Sequence, residues 1–384
     1  MDIAIVIVTY NRANSLKRVL HSISRAYYDD KVDLIISIDK SDNNEIENIA
    51  DSFQWKYGSL KIIKHPTNLG LRKHILSIGE YLNIYDALIV LEDDITVTPS
   101  FYYFARSAVE KYNSNSDIAG ISLYNFPINY QNLLPFYPIK SEYDVYFMNC
   151  AQSWGQVWMR TQWFAFKEWY LSNNEEFNIE TLPQIINKWP KSSWLKYHTR
   201  YCIEKNKYFV YPYFSFSTNN SDEGSHVKIS NNLFHSNLFL GEQKSFLLPD
   251  INDCVVKYDG FFQAKFLSNY LGIDSNDLCV DLYLSKPKKL YKKYLLTTAS
   301  LPYKIVREYE IDYRPLEANI LLNNLGNGLF LYDTTILGER KAINKHKLFV
   351  NLYKNNIAGV FKFIGIGNII KIILNYCINR VFKN

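Results

Sequence analysis

Residues 87–94 read ALIVLEDD, an apolar run that ends in three consecutive acids. A run of this kind is typical of a strand buried on both faces of a parallel sheet. Because neighbouring carboxylates repel one another, the three acids favour a site where a cation neutralises them. A hard divalent cation binds carboxylate oxygens and leaves positions for phosphate oxygens. The alternative is that Glu92, Asp93 and Asp94 cap the following helix.

Three similar units precede this strand. The apolar patterns predict strands at residues 3–8, 33–38 and 60–64, and helices at residues 13–26, 45–55 and 72–81. This alternation predicts an α/β fold with a doubly wound, mostly parallel sheet. Ligands of such sheets bind beyond the carboxyl ends of the strands, where the polar clusters of this sequence also lie.

The α/β rhythm fades after about residue 235. Further along the first half, the patterns predict a helix at 101–112, a strand at 118–122, a long ordered loop at 124–143, helical or mixed structure at 154–169 and 182–206, and a strand at 208–217. Short strands at 279–284, 295–298, 319–322 and 328–332 predict a small β-rich appendage. The predicted regions are the α/β domain at 1–234, a β-rich accessory region at 235–340 and a basic, apolar C-terminal helical segment at 341–384.

The composition indicates a globular protein. Hydrophobic residues make up 47% and charged residues 21%, and the formal charge of +5 is too small to indicate a nucleic-acid binder. The five cysteines are widely spaced and form no CxxC pair, which favours reduced thiols in the cytoplasm. The apolar run at residues 3–8 is too short for a signal peptide.

The segment at residues 357–382 is strongly apolar and is interrupted by lysines and an arginine. One interpretation is a terminal helix that lies on the inner face of the membrane, held by apolar burial and anionic lipid. The other is a helix that packs on its own domain or on a second subunit, as in a homo-oligomer.

The order of the polar motifs resembles that of family 2 glycosyltransferases of the GT-A fold. The matching segments are VTYNR at residues 8–12, Asp39, NLGLR at 68–72, LEDD at 91–94, SWGQVW at 153–158 and WPKSSW at 189–194. More narrowly, the sequence is similar to the bacterial branch related to N-acetylglucosaminyltransferase I. The resemblance covers residues 2–230.

The resemblance implies where a nucleotide-sugar donor would bind. The residues that it assigns to the donor are Thr9, Tyr10, Asn11, Arg12, Asp39, Asn68, Gly70, Arg72, Glu92 and Asp93. It makes Asp94 the direct ligand of Mn²⁺ or Mg²⁺, and His226 a second residue that touches metal or diphosphate. It also implies that Trp154, Gly155 and Trp158 shape the cleft for the donor sugar and the acceptor.

Several of these residues also suit a purely structural role. Arg12 and Arg72 suit solvated helix starts, and Asp39 suits a turn. Trp154 and Trp158 have the spacing of one apolar helix stripe, and a lone histidine such as His226 is more often structural than a ligand.

One position departs from the family pattern. Inverting relatives place an aspartate after the tryptophan at position 194, where it deprotonates the acceptor hydroxyl, but here the residue is Leu195, followed by Lys196. An inverting displacement needs a base within hydrogen-bond reach of the attacking hydroxyl. Asp222 and Glu223 are the candidates, with Glu168 as a weaker third.

The sequence therefore predicts a metal-dependent, inverting transfer of a sugar from a nucleotide diphosphate donor, such as a UDP-sugar, to a hydroxyl of a surface glycan or a lipid-linked acceptor. The first alternative is a nucleotidyltransferase, which would also use acids and a metal but normally needs a glycine-rich loop after the first strand. The second is a non-catalytic glycan- or nucleotide-binding subunit, which the loss of the aspartate at position 195 favours.

Overall fold

The structure is a computed structural model that describes residues 1–42, 44–222 and 233–343, together with residues 347, 348, 350, 352, 365, 367 and 370. Its strands are β1 Ile3–Thr9, β2 Asp33–Ile38, β3 Leu60–Lys64, β4 Ala87–Glu92, β5 Ile95–Val97, β6 Ile118–Ser122, β7 Ile128–Asn129, β8 Leu134–Pro135, β9 Val145–Met148, β10 Gln156–Met159, β11 Tyr208–Pro212, β12 Ser217–Asn219, β13 Lys257–Tyr258, β14 Leu278–Asp281, β15 Tyr294–Thr297, β16 Tyr303–Tyr309 and β17 Leu329–Leu337. Its α-helices are α1 Ala13–Ser24, α2 Asn44–Ser52, α3 Leu71–Ile78, α4 Phe101–Tyr112, α5 Arg160–Leu171, α6 Gln184–Lys188, α7 Leu195–Glu204, α8 Leu267–Leu271 and α9 Glu317–Leu321; 3₁₀ turns lie at Gly79–Asn83 and Lys288–Leu290.

A large mixed sheet organises the fold. In the described part of the chain it has nine strands in the order β13-β9-β11-β6-β10-β4-β1-β2-β3. Neighbours β1–β2, β1–β4, β2–β3, β6–β11 and β9–β13 are parallel, whereas β10 runs antiparallel to both β4 and β6, and β9 antiparallel to β11. The prediction of an α/β fold with a mostly parallel sheet is confirmed.

The sheet is covered on both faces, which explains its sequence. Every residue of β1 is buried, so an uninterrupted apolar run is what this strand requires. Helix α1 buries Leu16, Val19, Leu20 and Ile23 at helical spacing. The first strands and helices therefore follow the predicted pattern closely, because each buries one apolar face locally.

The part of the chain after β13 contains a smaller sheet with the strand order β14-β15-β17-β16. The predicted strand at 319–322 is wrong, because residues 319–321 belong to helix α9 and Leu322 caps it. A short apolar run has the same appearance in a buried helix as in a strand, and Ile320 is fully buried here. Strand β16 escaped prediction because its charged, partly exposed residues conceal the alternation expected of a strand.

Residues 154–169, predicted to be helical or mixed, contain both a strand and a helix. Their first part forms β10, which inserts antiparallel between β4 and β6, and α5 begins only at Arg160. Strand β10 is made by long-range pairing, which its own four residues do not reveal. The large sheet also extends past the predicted boundary at residue 234, since β13 pairs with β9.

Most of the predicted C-terminal segment at 341–384 lies outside the described residues. Among the residues that are described, no helix is both long enough and apolar enough to cross a membrane. The four cysteines in the described regions, Cys150, Cys202, Cys254 and Cys279, are buried free thiols.

Candidate active site

A cavity of about 380 Å³ opens where β1, β2 and β4 end. The carboxyl ends of these parallel strands meet at one edge of the sheet, which is where ligands of such folds bind. The cavity is lined by Val8, Thr9, Tyr10, Asn11, Arg12, Asp39, Asn68, Gly70, Leu71, His74, Glu92, Asp93, Asp94, Ser192 and Asp222. The fold thus brings most of the predicted donor-binding residues together from segments far apart in the sequence.

The three acids lie beside Arg12. The Arg12 guanidinium forms ion pairs with Asp93 and, at 3.1 Å, with Asp94 Oδ2. The Thr9 hydroxyl donates to Asp93 Oδ2 at 2.8 Å. Because β1 and β4 are neighbours in register, the residues that follow them are forced into contact. Arg12 is therefore more than a solvated helix start, since it bridges two acids of the triplet.

Burial and mutual repulsion disfavour the ionised forms of the three carboxyl groups, and nearby positive charge would stabilise these forms. Burial, with repulsion from Asp94 and Asp93, raises the pKa of Glu92. Burial also raises the pKa of Asp93, although the Arg12 charge opposes this rise. One arginine is thus shared among three carboxyl groups, which leaves the cluster short of positive charge.

The carboxylate oxygens of the acid triplet are ligands of the kind that a hard divalent cation binds. Asp94 Oδ1 is buried, and among the described residues it has no hydrogen-bond partner. A buried carboxylate oxygen without a partner is costly unless a ligand or an ion satisfies it. No group of three or more His, Cys, Asp or Glu side chains in the described part of the chain has the arrangement of a metal site. His226, the second predicted ligand, lies outside the described residues, as does Glu223.

Asp39 holds the loop that closes the other side of the cavity. Its Oδ1 accepts from the backbone N–H of Leu69 at 2.7 Å, and its Oδ2 accepts from that of Gly70 at 3.0 Å. The Asn68 side chain donates to the carbonyl of Lys40. Gly70 precedes α3 with a φ of +73°, a conformation that glycine adopts without strain. Asp39 therefore shapes the cavity wall through the backbone as well as lining it.

Asp222 lies at the edge of the same cavity. Its Oδ2 accepts from the Ser15 hydroxyl at 2.7 Å and forms an ion pair with Arg18, so that it is tied to α1. To act as a base, this carboxylate would have to exchange one of these contacts for an acceptor hydroxyl. Glu168, the weaker candidate, lies exposed on α5 and does not line the cavity.

Two other predicted residues point away from the cavity. Arg72 donates to the Tyr197 hydroxyl and to the carbonyl of Lys191, and it lines a separate groove against α5. Trp158 is 1% exposed and stacks on Trp163 with ring centroids 3.8 Å apart. Its ring is part of the core beneath the sheet.

Trp154 lies in a second, aromatic cavity of about 220 Å³. The other rings around it belong to Phe126, Tyr130, Trp189 and Phe234, and Leu195 completes the wall. The strand that carries Ser217 links this cavity to the acids, since the Ser217 hydroxyl donates to the Trp154 carbonyl and Asn220 donates to the Asp94 carbonyl.

Gly155 fits between these elements for a steric reason. Its φ is +89°, and an added Cβ would approach Ser217 Oγ to 2.7 Å. Lys196 is buried, and its ammonium donates to the carbonyls of Asn187 and Trp189. The segment expected to supply a base therefore presents an apolar side chain and an internally bonded lysine.

Sequence reasoning missed His74 and Ser192, which also line the main cavity. His74 Nε2 is 2.7 Å from the Ser37 hydroxyl, and burial lowers the pKa of His74 to about 4, so the ring is neutral at physiological pH. One signal could have found it: His74 lies in α3, four residues after Gly70, and is buried there against Ser37 of β2.

Three solved structures illustrate the likenesses found. TarS from S. aureus with UDP-GlcNAc is 12% identical to this chain. The match covers 59% of this chain and 60% of the TarS chain, with a TM-score of 0.40. A mannosyltransferase from Pyrobaculum calidifontis with GDP-Man and Mn²⁺ is 12% identical, with coverages of 41% and 44% and a TM-score of 0.30. GalNAc-T7 with UDP, GalNAc and Mn²⁺ is 13% identical, with coverages of 56% and 42% and a TM-score of 0.40.

This chain spans only 60% of the length of the TarS structure. No curated protein matches the sequence. The narrower similarity to N-acetylglucosaminyltransferase I finds no support in the comparisons and stays a prediction. The family model does match: residues 4–149, which contain β1 to β9 and the acid triplet, match the model of glycosyl transferase family 2.

Proposed function

We propose that the protein is a glycosyltransferase that takes a sugar from a nucleotide diphosphate donor and requires a divalent cation. The observation that carries the proposal is the buried, unpartnered oxygen of Asp94 at the end of β4, within the segment that matches family 2. A nucleotide diphosphate brings two negative charges to the crevice, and a cation held by Asp94 would neutralise the diphosphate as it leaves.

The residues of the crevice have separate tasks in this proposal. Thr9 and Arg12 hold Asp93, which fixes the carboxyl cluster beside the donor diphosphate. Asp39 and the loop at Asn68 and Gly70 form the wall against which the nucleoside binds. The acceptor is assigned to the aromatic cavity at Trp154, which the segment from Ser217 to Asn220 connects to Asp94. Mn²⁺ and Mg²⁺ both suit the carboxylate oxygens.

Activation of the acceptor is assigned to Asp222 in this proposal. Asp222 is the carboxylate on the cavity edge that is not part of the triplet or of the Asp39 loop. Release of the Arg18 contact on acceptor binding would free it to take the hydroxyl proton, with inversion at the anomeric carbon. The proposed donor is a UDP-sugar, and the proposed acceptor is a hydroxyl of a surface glycan or of a lipid-linked glycan.

The experiment compares Asp94→Asn with the wild-type protein. We expect the Mn²⁺-dependent part of the affinity for UDP, measured by calorimetry, to fall by about 100-fold or more, because even indirect partners of a metal contribute 10–100-fold. The matched control is Asp51→Asn, which neutralises an exposed carboxylate on α2. The proposal is wrong if Asp94→Asn keeps both the Mn²⁺-dependent affinity and the rate of donor hydrolysis.

A second candidate function is a non-catalytic subunit that binds a nucleotide sugar or a glycan. The apolar side chain of Leu195 in the aromatic cavity and the buried, internally bonded Lys196 favour it. Incubation with Mn²⁺, a panel of nucleotide sugars and candidate acceptors separates the two functions. Release of free nucleotide from one donor supports the enzyme, whereas binding without turnover supports the subunit.

A further inference from the structure

A second polar cavity lies at the opposite edge of the large sheet from the acid triplet. It has a volume of about 350 Å³, and Asn149 and Asn206 are on its wall. Asn206 precedes β11, which has the same direction as β4 and β1, and Asn149 follows β9, which runs antiparallel to β11. Both residues therefore belong to the edge where β1 and β4 begin, whereas Asp94 follows the end of β4.

Three lysines surround this cavity. They are Lys265, which follows β13, and Lys286 and Lys292, which lie between β14 and β15. Lys286 is 12% exposed at its side chain and forms an ion pair of 2.5 Å with Asp259. Asp281 is the second carboxylate close to Lys286, and its Oδ1 accepts from the backbone N–H groups of Ser285 and Lys286. Three ammonium groups thus face two carboxylates.

Two of these ammonium groups have no carboxylate within ion-pair distance among the described residues. Lys265 Nζ donates to Tyr208 Oη at 2.6 Å, to Asn206 Oδ1 at 2.9 Å and to Asn149 Oδ1 at 3.4 Å, all of them neutral acceptors. Lys292 Nζ donates to the carbonyl of Ser275 at 2.6 Å. Like charges around a shared space repel one another, and an anion between them removes that repulsion.

The local sequence strengthens the positive charge. Residues 286–293 read KPKKLYKK, so five lysines fall within eight residues. Of these, Lys289 forms an ion pair with Glu180. Lys288 is exposed and does not line the cavity. The segment therefore attracts anions over a wider area, while only Lys286 and Lys292 of its lysines line the cavity.

We propose that this cavity binds a phosphate group carried by a small molecule or by a lipid headgroup. Lysines on different sides of a cavity suit the tetrahedral phosphate, which accepts hydrogen bonds in several directions, and lysine binds phosphate as a point charge. The volume is within the range of small-molecule sites and accommodates a monosaccharide phosphate. The site does not depend on the proposed transfer reaction, because it lies at the other edge of the sheet.

The test measures phosphate binding by calorimetry, with inorganic phosphate and glucose 1-phosphate as probes. We expect both to bind the wild-type protein, and Lys292→Glu to weaken binding by about tenfold or more, because a charge-assisted contact is lost and a repulsive one is gained. Lys292 is exposed and has one hydrogen bond to a carbonyl, so the fold should tolerate the change. Lys288→Glu is the matched control, with the same charge change outside the cavity, and should lose less than about threefold.

The outcomes are distinct. Equal weakening in both variants, or no binding by the wild-type protein at millimolar phosphate, would overturn the proposal. Tighter binding of glucose 1-phosphate than of inorganic phosphate assigns the site to a phosphosugar. Binding to phosphatidylglycerol vesicles that Lys292→Glu removes and Lys288→Glu keeps assigns it to a lipid headgroup. Asp94→Asn should leave all these affinities unchanged, which separates this site from the crevice.

Discussion

Arg12 determines the electrostatic state of the acid triplet. It shares its guanidinium between Asp93 and Asp94, and its side chain is 24% exposed. Removal of one partner from a largely buried ion pair leaves carboxylates without compensation, which is more costly than removal of an exposed pair. A bound divalent cation would supply the compensation that Arg12 otherwise provides.

We therefore expect Arg12→Gln to lower the free energy of unfolding by about 2 kcal/mol without metal. Mn²⁺ should raise the melting temperature of this variant by more than it raises that of the wild-type protein, because the metal then relieves a larger repulsion. Urea unfolding and thermal melts with and without Mn²⁺ measure both effects.

The control for this prediction is Arg106→Gln, which removes exposed ion pairs with Asp30 and Glu110. Exposed pairs of this kind contribute at most about 1 kcal/mol, and Mn²⁺ should not act on them. An equal Mn²⁺ shift in Arg12→Gln and in the wild-type protein would contradict the expectation that the metal replaces the Arg12 charge, and no shift in either protein would contradict a metal at the triplet.

At the scale of single elements, α9 carries a buried acid. Glu317 is completely buried, and its Oε2 accepts a hydrogen bond of 3.4 Å from the Tyr283 hydroxyl. Burial raises the pKa of Glu317 to about 7. The folded protein thus favours the protonated carboxyl. The stability that this carboxyl contributes is present below the unfolded pKa of about 4.5 and is lost as the pH rises through about 7.

Glu317→Gln should remove this pH dependence, since glutamine stays neutral. We expect the variant to be more stable than the wild-type protein at pH 8, by up to about 3 kcal/mol, with a smaller difference at pH 5. Urea unfolding from pH 5 to pH 8 measures the change. Glu339→Gln, at an exposed position, is the control and should follow the wild-type curve. Parallel curves for Glu317→Gln and the wild-type protein would refute the prediction.

At the scale of the whole molecule, the nine-stranded and the four-stranded sheet both contribute to the main core, while a smaller second cluster forms around Phe330 and Tyr332. A single cluster of buried apolar side chains reaches from Ile3 in β1 to Leu331 in β17. Strand β13 also completes the large sheet from beyond residue 234, and Tyr258 within it is fully buried. The region after residue 234 therefore contributes to the same folding unit as the crevice.

A chain that ends at residue 234 should consequently lose cooperative unfolding, because the edge of β9 and the surface beneath β13 become exposed. A chain that ends at residue 343 retains both sheets and should melt in one transition. Calorimetry and near-ultraviolet circular dichroism of the two chains test this expectation. A shorter chain with the same melting temperature as the longer one would show that residues 1–234 fold independently.

The sequence predicted the elements whose signal is local. The strands at residues 33–38 and 60–64 and the helix at 101–112 coincide with β2, β3 and α4, since each pattern reflects burial of that element alone. The acids that follow β4 were also recognisable, because three carboxylates at the end of an apolar strand are unusual. Strand β10 and the burial of Trp158 were not, because both depend on contacts with distant segments.

By itself, then, the sequence determined the α/β alternation and the position of Asp94 in the crevice, because the parallel strands β1, β2 and β4 all end at the same edge of the sheet. Only the tertiary structure decided that Arg12 bridges two acids, that Asp39 holds the loop at Gly70, and that Leu195 lies among aromatic rings. Side-chain contacts between distant segments depend on how the sheet twists and how its layers pack, and the local periodicity of the sequence predicts neither.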